Sequence, residues 1–114
     1  MIVDDRITTY LHSLEMPDIP VIEEIEKEAL EAYVPIIRKE TQSFLKVLLT
    51  IQKPKRILEV GTAVGFSAVL MSHYMPKDGH IITIENYEKR IPVARANFAR
   101  AEKEDKITLL EGDA

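Results

Sequence analysis

The sequence of 114 residues contains no cysteine and no tryptophan, only four glycines, and no long apolar run. Without cysteine there are no disulfides, no thiolate nucleophile and no cysteine-based zinc site. No stretch approaches the roughly 18 consecutive apolar residues needed to cross a bilayer. Met1 to Leu14 also lacks the basic start and apolar stretch of a signal peptide. These absences point to a cytoplasmic protein with no membrane contact. A strongly basic surface is missing too. The 15 Lys and Arg stand against 19 Asp and Glu, a formal charge of −4, which argues against strong independent binding to nucleic acid.

What is present is an ordinary soluble composition of one-domain size, 46% hydrophobic and 30% charged. The first half reads as helices over Asp4 to Leu14, Ile19 or Pro20 to about Val34, and Glu40 to Ile51, punctuated by Pro17, Pro20, Pro35 and Pro54. In the second of these, Glu23, Glu24, Glu26, Glu28 and Glu31 fill positions between Ile22, Ile25, Ala29 and Ala32, the pattern of a solvated face. In the third, Phe44, Val47, Leu48 and Ile51 recur at helical spacing.

From Lys55 the period changes. Arg56-Ile57-Leu58-Glu59-Val60 is a short apolar run entering a glycine turn, as a buried parallel strand would. Phe66 to Tyr74 suits a helix, Pro76-Lys77-Asp78-Gly79 a turn, and His80 to Ile84 a second strand. Glu88 to Ala101 places Ile91, Ala94, Phe98 and Ala101 on one helical stripe, and Lys106 to Leu110 is a third strand. Pro92 requires either a kink or an initial turn from Glu88 to Ile91 ahead of the helix proper. Right-handed crossovers place the three parallel strands in the order 3-2-1, half of a doubly wound sheet. Strand Arg56 to Val60 then has an open apolar edge, an aggregation liability unless something covers it.

The chemical centre is Glu59-Val60-Gly61-Thr62-Ala63-Val64-Gly65-Phe66-Ser67. Glycines there permit positive φ and close ligand approach, and the start of the following helix offers N–H groups to an anion. Gly61 and Gly65 alone are equally compatible with a tight turn that binds nothing. Two acids shift that balance. Glu85 closes the second strand twenty residues after Gly65, where a carboxylate can take both hydroxyls of a ribose. Asp113 closes the third strand at the same sheet edge and can accept from an adenine amino group. The turn is G-x-A-x-G, not the G-x-G-x-x-G of a dinucleotide cradle. Glu59 would repel a pyrophosphate and suit the ammonium of a methionine moiety. A nucleotide-binding dehydrogenase is therefore disfavoured. His12, His73 and His80 are scattered and read as structural or solvent-facing.

The stretch Ile57 to Ser67 resembles the E-x-G-x-x-x-G-[YF]-S signature of class I S-adenosylmethionine-dependent O-methyltransferases, similar to catechol and caffeoyl-CoA O-methyltransferases. The likeness runs from about Val34 to Ala114. Val34-Pro35-Ile36 and Ile84-Glu85-Asn86-Tyr87-Glu88-Lys89-Arg90 are also similar to patterns in bacterial tRNA 5-hydroxyuridine methyltransferases.

The resemblance implies an α/β Rossmann-like fold reaching the third parallel strand, with 1–53 as an amino-terminal helical segment for cap, substrate and dimer contacts. Residues 54–114 are then the first half of the S-adenosylmethionine-binding domain. It implies Glu59, Gly61 and Ser67 around the methionine part, Ser67 meeting its carboxylate, with Thr62 and Gly65 in the same cofactor-binding turn. Glu85 would hold the ribose, Asp113 the adenine amino group and the Ala114 N–H a ring nitrogen. Thr41 stands where relatives often have glycine, which argues against a cofactor contact from that helix. The family's metal ligands and catalytic Lys or Asp are expected after Ala114, so a divalent metal such as magnesium belongs to a complete protein. The implied acceptor is 5-hydroxyuridine in tRNA or a small phenol or catechol-like compound, and the implied partner a second copy in a homodimer. The rival reading is a non-catalytic fragment that self-associates through the open strand edge.

Overall fold

The computed structural model describes residues 4–14 and 18–114. Pro17 and the first three residues of the amino-terminal stretch fall outside them. The elements run α1 (Asp5–Ser13), α2 (Pro20–Glu31), α3 (Lys39–Gln52), β1 (Arg56–Val60), α4 (Phe66–Tyr74), β2 (His80–Glu85), α5 (Ile91–Arg100) and β3 (Ile107–Glu111).

Local chemistry sets most of these limits. The Asp4 side chain accepts the Arg6 N–H at 2.7 Å and starts α1. Pro20 opens α2, where a missing N–H costs no helical bond. That helix stops short of Val34. Tyr33 turns left-handed at φ 57, the Tyr33 N–H reaches the Leu30 carbonyl at 3.2 Å, and the Val34 N–H reaches Ala29 at 2.9 Å. This pair of bonds is a Schellman closure, made without glycine. Pro92 lies in the first turn of α5, behind a separate turn at residues 88–90. Of the two options its position left open, the chain takes the initial turn.

The three strands are parallel in the order β1-β2-β3, with Leu58 opposite Ile82 and Val60 opposite Ile84. On β2 and β3 the next row sets Ile84 against Leu110. Ile81, Thr83, Ile107 and Leu109 point to the helical side and are buried. The hydrophobic core joins them to Phe66, Ala68, Val69 and Leu70 of α4 and to Ile22, Ile25 and Ala29 of α2. Helices α2 and α3, the latter through Leu49, and the sheet thus share one core, centred on α4.

Two readings of burial need correction, and a third point that the sequence left open is settled between them. β1 is not a buried strand: Leu58 and Val60 are each 66% exposed, because the helices pack on the opposite face of the sheet. Among the described residues β1 pairs only with β2, so its outer edge is open as expected. The α3 stripe of Phe44, Val47, Leu48 and Ile51 faces outward, and the helix turns Gln42 and Leu49 inward instead. Finally, the acidic face of α2 is not all solvated. Glu26 is buried against the Lys39 ammonium at 2.7 Å. No helix among the described residues is long and apolar enough to cross a membrane.

Candidate functional site

β1 delivers the chain into a turn that glycine and one left-handed alanine make possible. Gly61 (φ +94) donates its N–H to the Ile84 carbonyl at 2.8 Å, and Thr62 donates to the same oxygen at 3.2 Å. Ala63 follows at φ 50 and Gly65 at φ +87. The two glycines serve different ends. A Cβ on Gly65 would lie 2.6 Å from the Phe98 ring, so its absence lets α5 pack against the turn. A Cβ on Gly61 would meet no described heavy atom within 4 Å, so this position borders open space. The start of α4 carries no side-chain cap, leaving its first N–H groups without helical partners.

Around the turn lie the carboxylates. Glu59 is half-buried. One oxygen accepts from the Ser67 hydroxyl and the other from Thr83 Oγ1 at 2.7 Å. Thr83 is fully buried (0% exposed) and has one proton, which it gives to Glu59. Thr62 must therefore be the donor in the 2.6 Å contact between the two threonine hydroxyls. Burial pushes the Glu59 carboxyl above the ordinary glutamate value. The two hydroxyls oppose that rise, and the Glu85 charge adds to it.

Glu85 goes the other way. Burial alone would raise it, but the N–H groups of Ala63 (2.7 Å), Tyr87 (3.1 Å) and Asn86 (3.2 Å) hold it below the ordinary value. Adjacent strands thus present one carboxyl pushed up and one pushed down.

Beyond β3, the Gly112 N–H donates to the Glu85 carbonyl at 2.9 Å and so fixes the loop that follows. Asp113 accepts from the Asn86 amide at 2.5 Å; it and Ala114 are exposed. Glu111, not Asp113, closes the strand. It sits opposite Glu85 and pairs with Arg95 at 3.2 Å.

The turn forms one wall of a cavity of about 240 Å³ through Gly61, Thr62, Ala63, Phe66 and Ser67. The other wall is segment 35–37, between α2 and α3. Of the residues singled out from the sequence, Gly61, Thr62 and Ser67 line this space, and Glu59 stands behind Ser67. Thr62 offers its backbone only, since its hydroxyl is committed to Thr83. Glu85 sits at the rim through Ala63.

Thr83, Asn86 and the 35–37 wall were not singled out as parts of a site. Thr83 carried a usable signal, a polar residue on the core-facing register of a strand. The histidines stand apart, His12 bonded to Glu40 at 2.5 Å and His80 to Thr108 at 2.6 Å. Among the described residues no group of three or more His, Asp or Glu is placed to hold a metal ion.

Residues 12–114 match a family model described as O-methyltransferase. The chain is 29% identical over 110 residues to a catechol O-methyltransferase of Mycobacterium tuberculosis, covering 95% of this chain and 50% of the relative. It is 37% identical over 71 residues to a catechol O-methyltransferase of Niastella koreensis, covering 62% of this chain and 32% of that one. In three dimensions it is similar to an O-methyltransferase from Bacillus cereus solved in complex with SAH. There the TM-score is 0.81 at 28% identity, over 94% of this chain and 50% of the other. The chain therefore spans half or less of the length of these relatives. The match extends over the glycine turn and its carboxylates as well as over α2 and α3 in front of them, and the chain belongs to the O-methyltransferase family.

Proposed function

We propose that this chain carries the S-adenosylmethionine site of an enzyme that methylates a hydroxyl group. The observation that carries the reading is the open, glycine-bordered cavity with carboxylates along one sheet edge. At about 240 Å³ it lies below the usual range of roughly 300–1,000 Å³ for a drug-sized ligand. It therefore suits the methionine part, with the nucleoside lying along the open rim toward Glu85 and Asp113.

When bound, S-adenosylmethionine supplies an electrophilic sulfonium methyl group. Glu59 then faces the ammonium, and the start of α4 with Ser67 takes the carboxylate. Ser67, which donates to Glu59 in the free protein, would turn its proton to the ligand, and Glu59 would accept from the ammonium instead. Glu85 takes the ribose hydroxyls, Asp113 the adenine amino group, and the Ala114 N–H a ring nitrogen. Catalysis by these residues is positioning: they fix the methyl group for in-line attack by an oxygen nucleophile. The complete enzyme is proposed to use a divalent metal and to work as a homodimer in the cytoplasm. The described residues offer no ligand set for that metal.

For the acceptor, the relatives named as catechol O-methyltransferases support a small phenol or catechol-like compound over 5-hydroxyuridine in tRNA. Incubating a complete form of the protein with each acceptor, followed by product analysis, separates the two.

Calorimetric titration with S-adenosylmethionine tests the site. Gly61→Arg fills the open space and adds a like charge to the sulfonium side, and Asp113→Ala removes the adenine contact. Each is expected to weaken binding by about tenfold or more. Unchanged affinity in both rejects the assignment. A second reading is favoured by the open edge of β1 and the exposed Leu58 and Val60. On that reading the chain associates with itself and transfers no methyl group. Light scattering that shows an active monomer refutes it.

A further inference from the structure

We propose that Gln42, backed by Glu26, is a positioning residue that holds the 35–37 wall of the cavity at the spacing a ligand needs. This rests on the functional reading above, but the residues lie outside the glycine turn and its acids.

Segment 34–38 lies between α2 and α3 and belongs to no helix and no sheet among the described residues. Its ends are fixed by main-chain bonds, Val34 N–H to Ala29 and Gln42 N–H to Arg38, both at 2.9 Å. Its middle is only partly fixed by packing: Ile36 and Ile37 lie half-buried against the hydrophobic core. Ile36 and Ile37 border the cavity of about 240 Å³ on one side and another of about 510 Å³, toward α1 and α3, on the other. Apolar contact does not set the direction of a main-chain carbonyl, so a partition with space on both faces is held in register by a directional bond as well.

The Gln42 side chain supplies it. Its amide nitrogen has two protons. One goes to the Ile37 carbonyl at 2.9 Å and the other to Glu26 at 2.8 Å. The remaining Glu26 oxygen accepts the Lys39 ammonium at 2.7 Å. Gln42 is 2% and Glu26 7% exposed. Water therefore does not readily replace a lost partner, and each bond in this chain is expensive to leave unmade. No apolar side chain of similar volume can donate to a carbonyl and a carboxylate together. The strap runs from α2 through α3 to the wall, and it ends on the residue that faces the glycine turn across the cavity.

The test is titration of the chain with S-adenosylhomocysteine well below its unfolding temperature, with hydrogen exchange of amides 36–38 measured in the free protein. Gln42→Leu is expected to weaken binding about tenfold and to speed exchange at 36–38. Gln42→Asn keeps the amide but cannot span to Ile37, so it should move both readings in the same direction; it carries the test if Gln42→Leu does not fold. Tyr74→Phe, which loses a bond to Asp18 away from the cavity, is the control. It should lower the melting temperature and leave affinity unchanged. Wild-type affinity in the Gln42 variants, or equal weakening in Tyr74→Phe, overturns the proposal. If the unaltered chain binds no S-adenosylhomocysteine the functional reading fails. Unchanged exchange at 36–38 in the Gln42 variants then overturns the strap separately.

Discussion

Glu59 is a half-buried carboxyl whose folded environment disfavours its charged form. Its carboxyl lies above the ordinary value of 4.5 when folded, burial being the main cause. The native chain therefore binds more protons than the unfolded chain in the window just above 4.5. Over that window stability falls as pH rises, and it stays lower once Glu59 is ionised. Glu59→Gln should flatten this part of the stability curve in denaturant titrations from pH 4 to 7 while weakening S-adenosylmethionine binding. A variant that keeps the wild-type slope would show that another group sets it.

Tyr74 gives a second, alkaline window. Its hydroxyl is pushed from 10.0 to about 12, by burial first and then by its bond to Asp18 and that residue's charge. The folded state again holds the proton longer, so this contribution is intact below pH 10 and is lost as pH rises toward 12. Tyr74→Phe should remove that part of the alkaline decline, read from melting temperatures across the range.

At this scale the acids Glu59 and Glu85 were legible because charge at a strand's end beside glycines has few structural uses. Gln42 was not, and Thr83 only in part, through its polar side chain on the core-facing register of a strand. A buried polar residue looks like any other polar residue until the fold supplies its partners.

Among the elements, scarcity of glycine shows at the helix ends. Tyr33 after α2 and Glu102 after α5 take the left-handed position at φ 57 and 58. Both complete Schellman bonds, the second with Lys103 N–H to Phe98 at 2.9 Å. Glycine avoids the steric penalty of that conformation, although it loses more freedom on folding. Tyr33→Gly and Glu102→Gly are each expected to stabilise by about 0.5–1 kcal/mol, raising the melting temperature by roughly 2–6 °C. A drop in either would mean that the side chain contributes more than its backbone strain costs.

The elements from residue 56 onward were legible to within a few residues. Parallel strands are short apolar runs, and here Gly and Pro bound them. The outward facing of the α3 stripe was not legible, for a physical reason. Helical spacing reveals that Phe44, Val47, Leu48 and Ile51 share a face, but nothing in the period says whether that face meets the core. Only Gln42 and Leu49, packed beneath, decide it.

At the largest scale, the described residues form a sheet clothed on one side. Across the bare side runs an apolar row of Val60, Ile84 and Leu110, neighbours by strand register, with Leu58 and Ile82 alongside. Leu58→Lys places a charge beside that row, on the open edge strand and away from the helical side that holds the site. It should increase the monomer fraction in light scattering and leave S-adenosylmethionine affinity unchanged. An unaltered size distribution would move the contact elsewhere, with the exposed face of α3 next to be tried. The same row sets how temperature acts on any assembly it forms. Apolar contact draws its strength near room temperature from the entropy of released water and weakens on cooling. Association through this face should therefore tighten on warming and loosen in the cold, the opposite of what an assembly held by hydrogen bonds along the β1 edge would do.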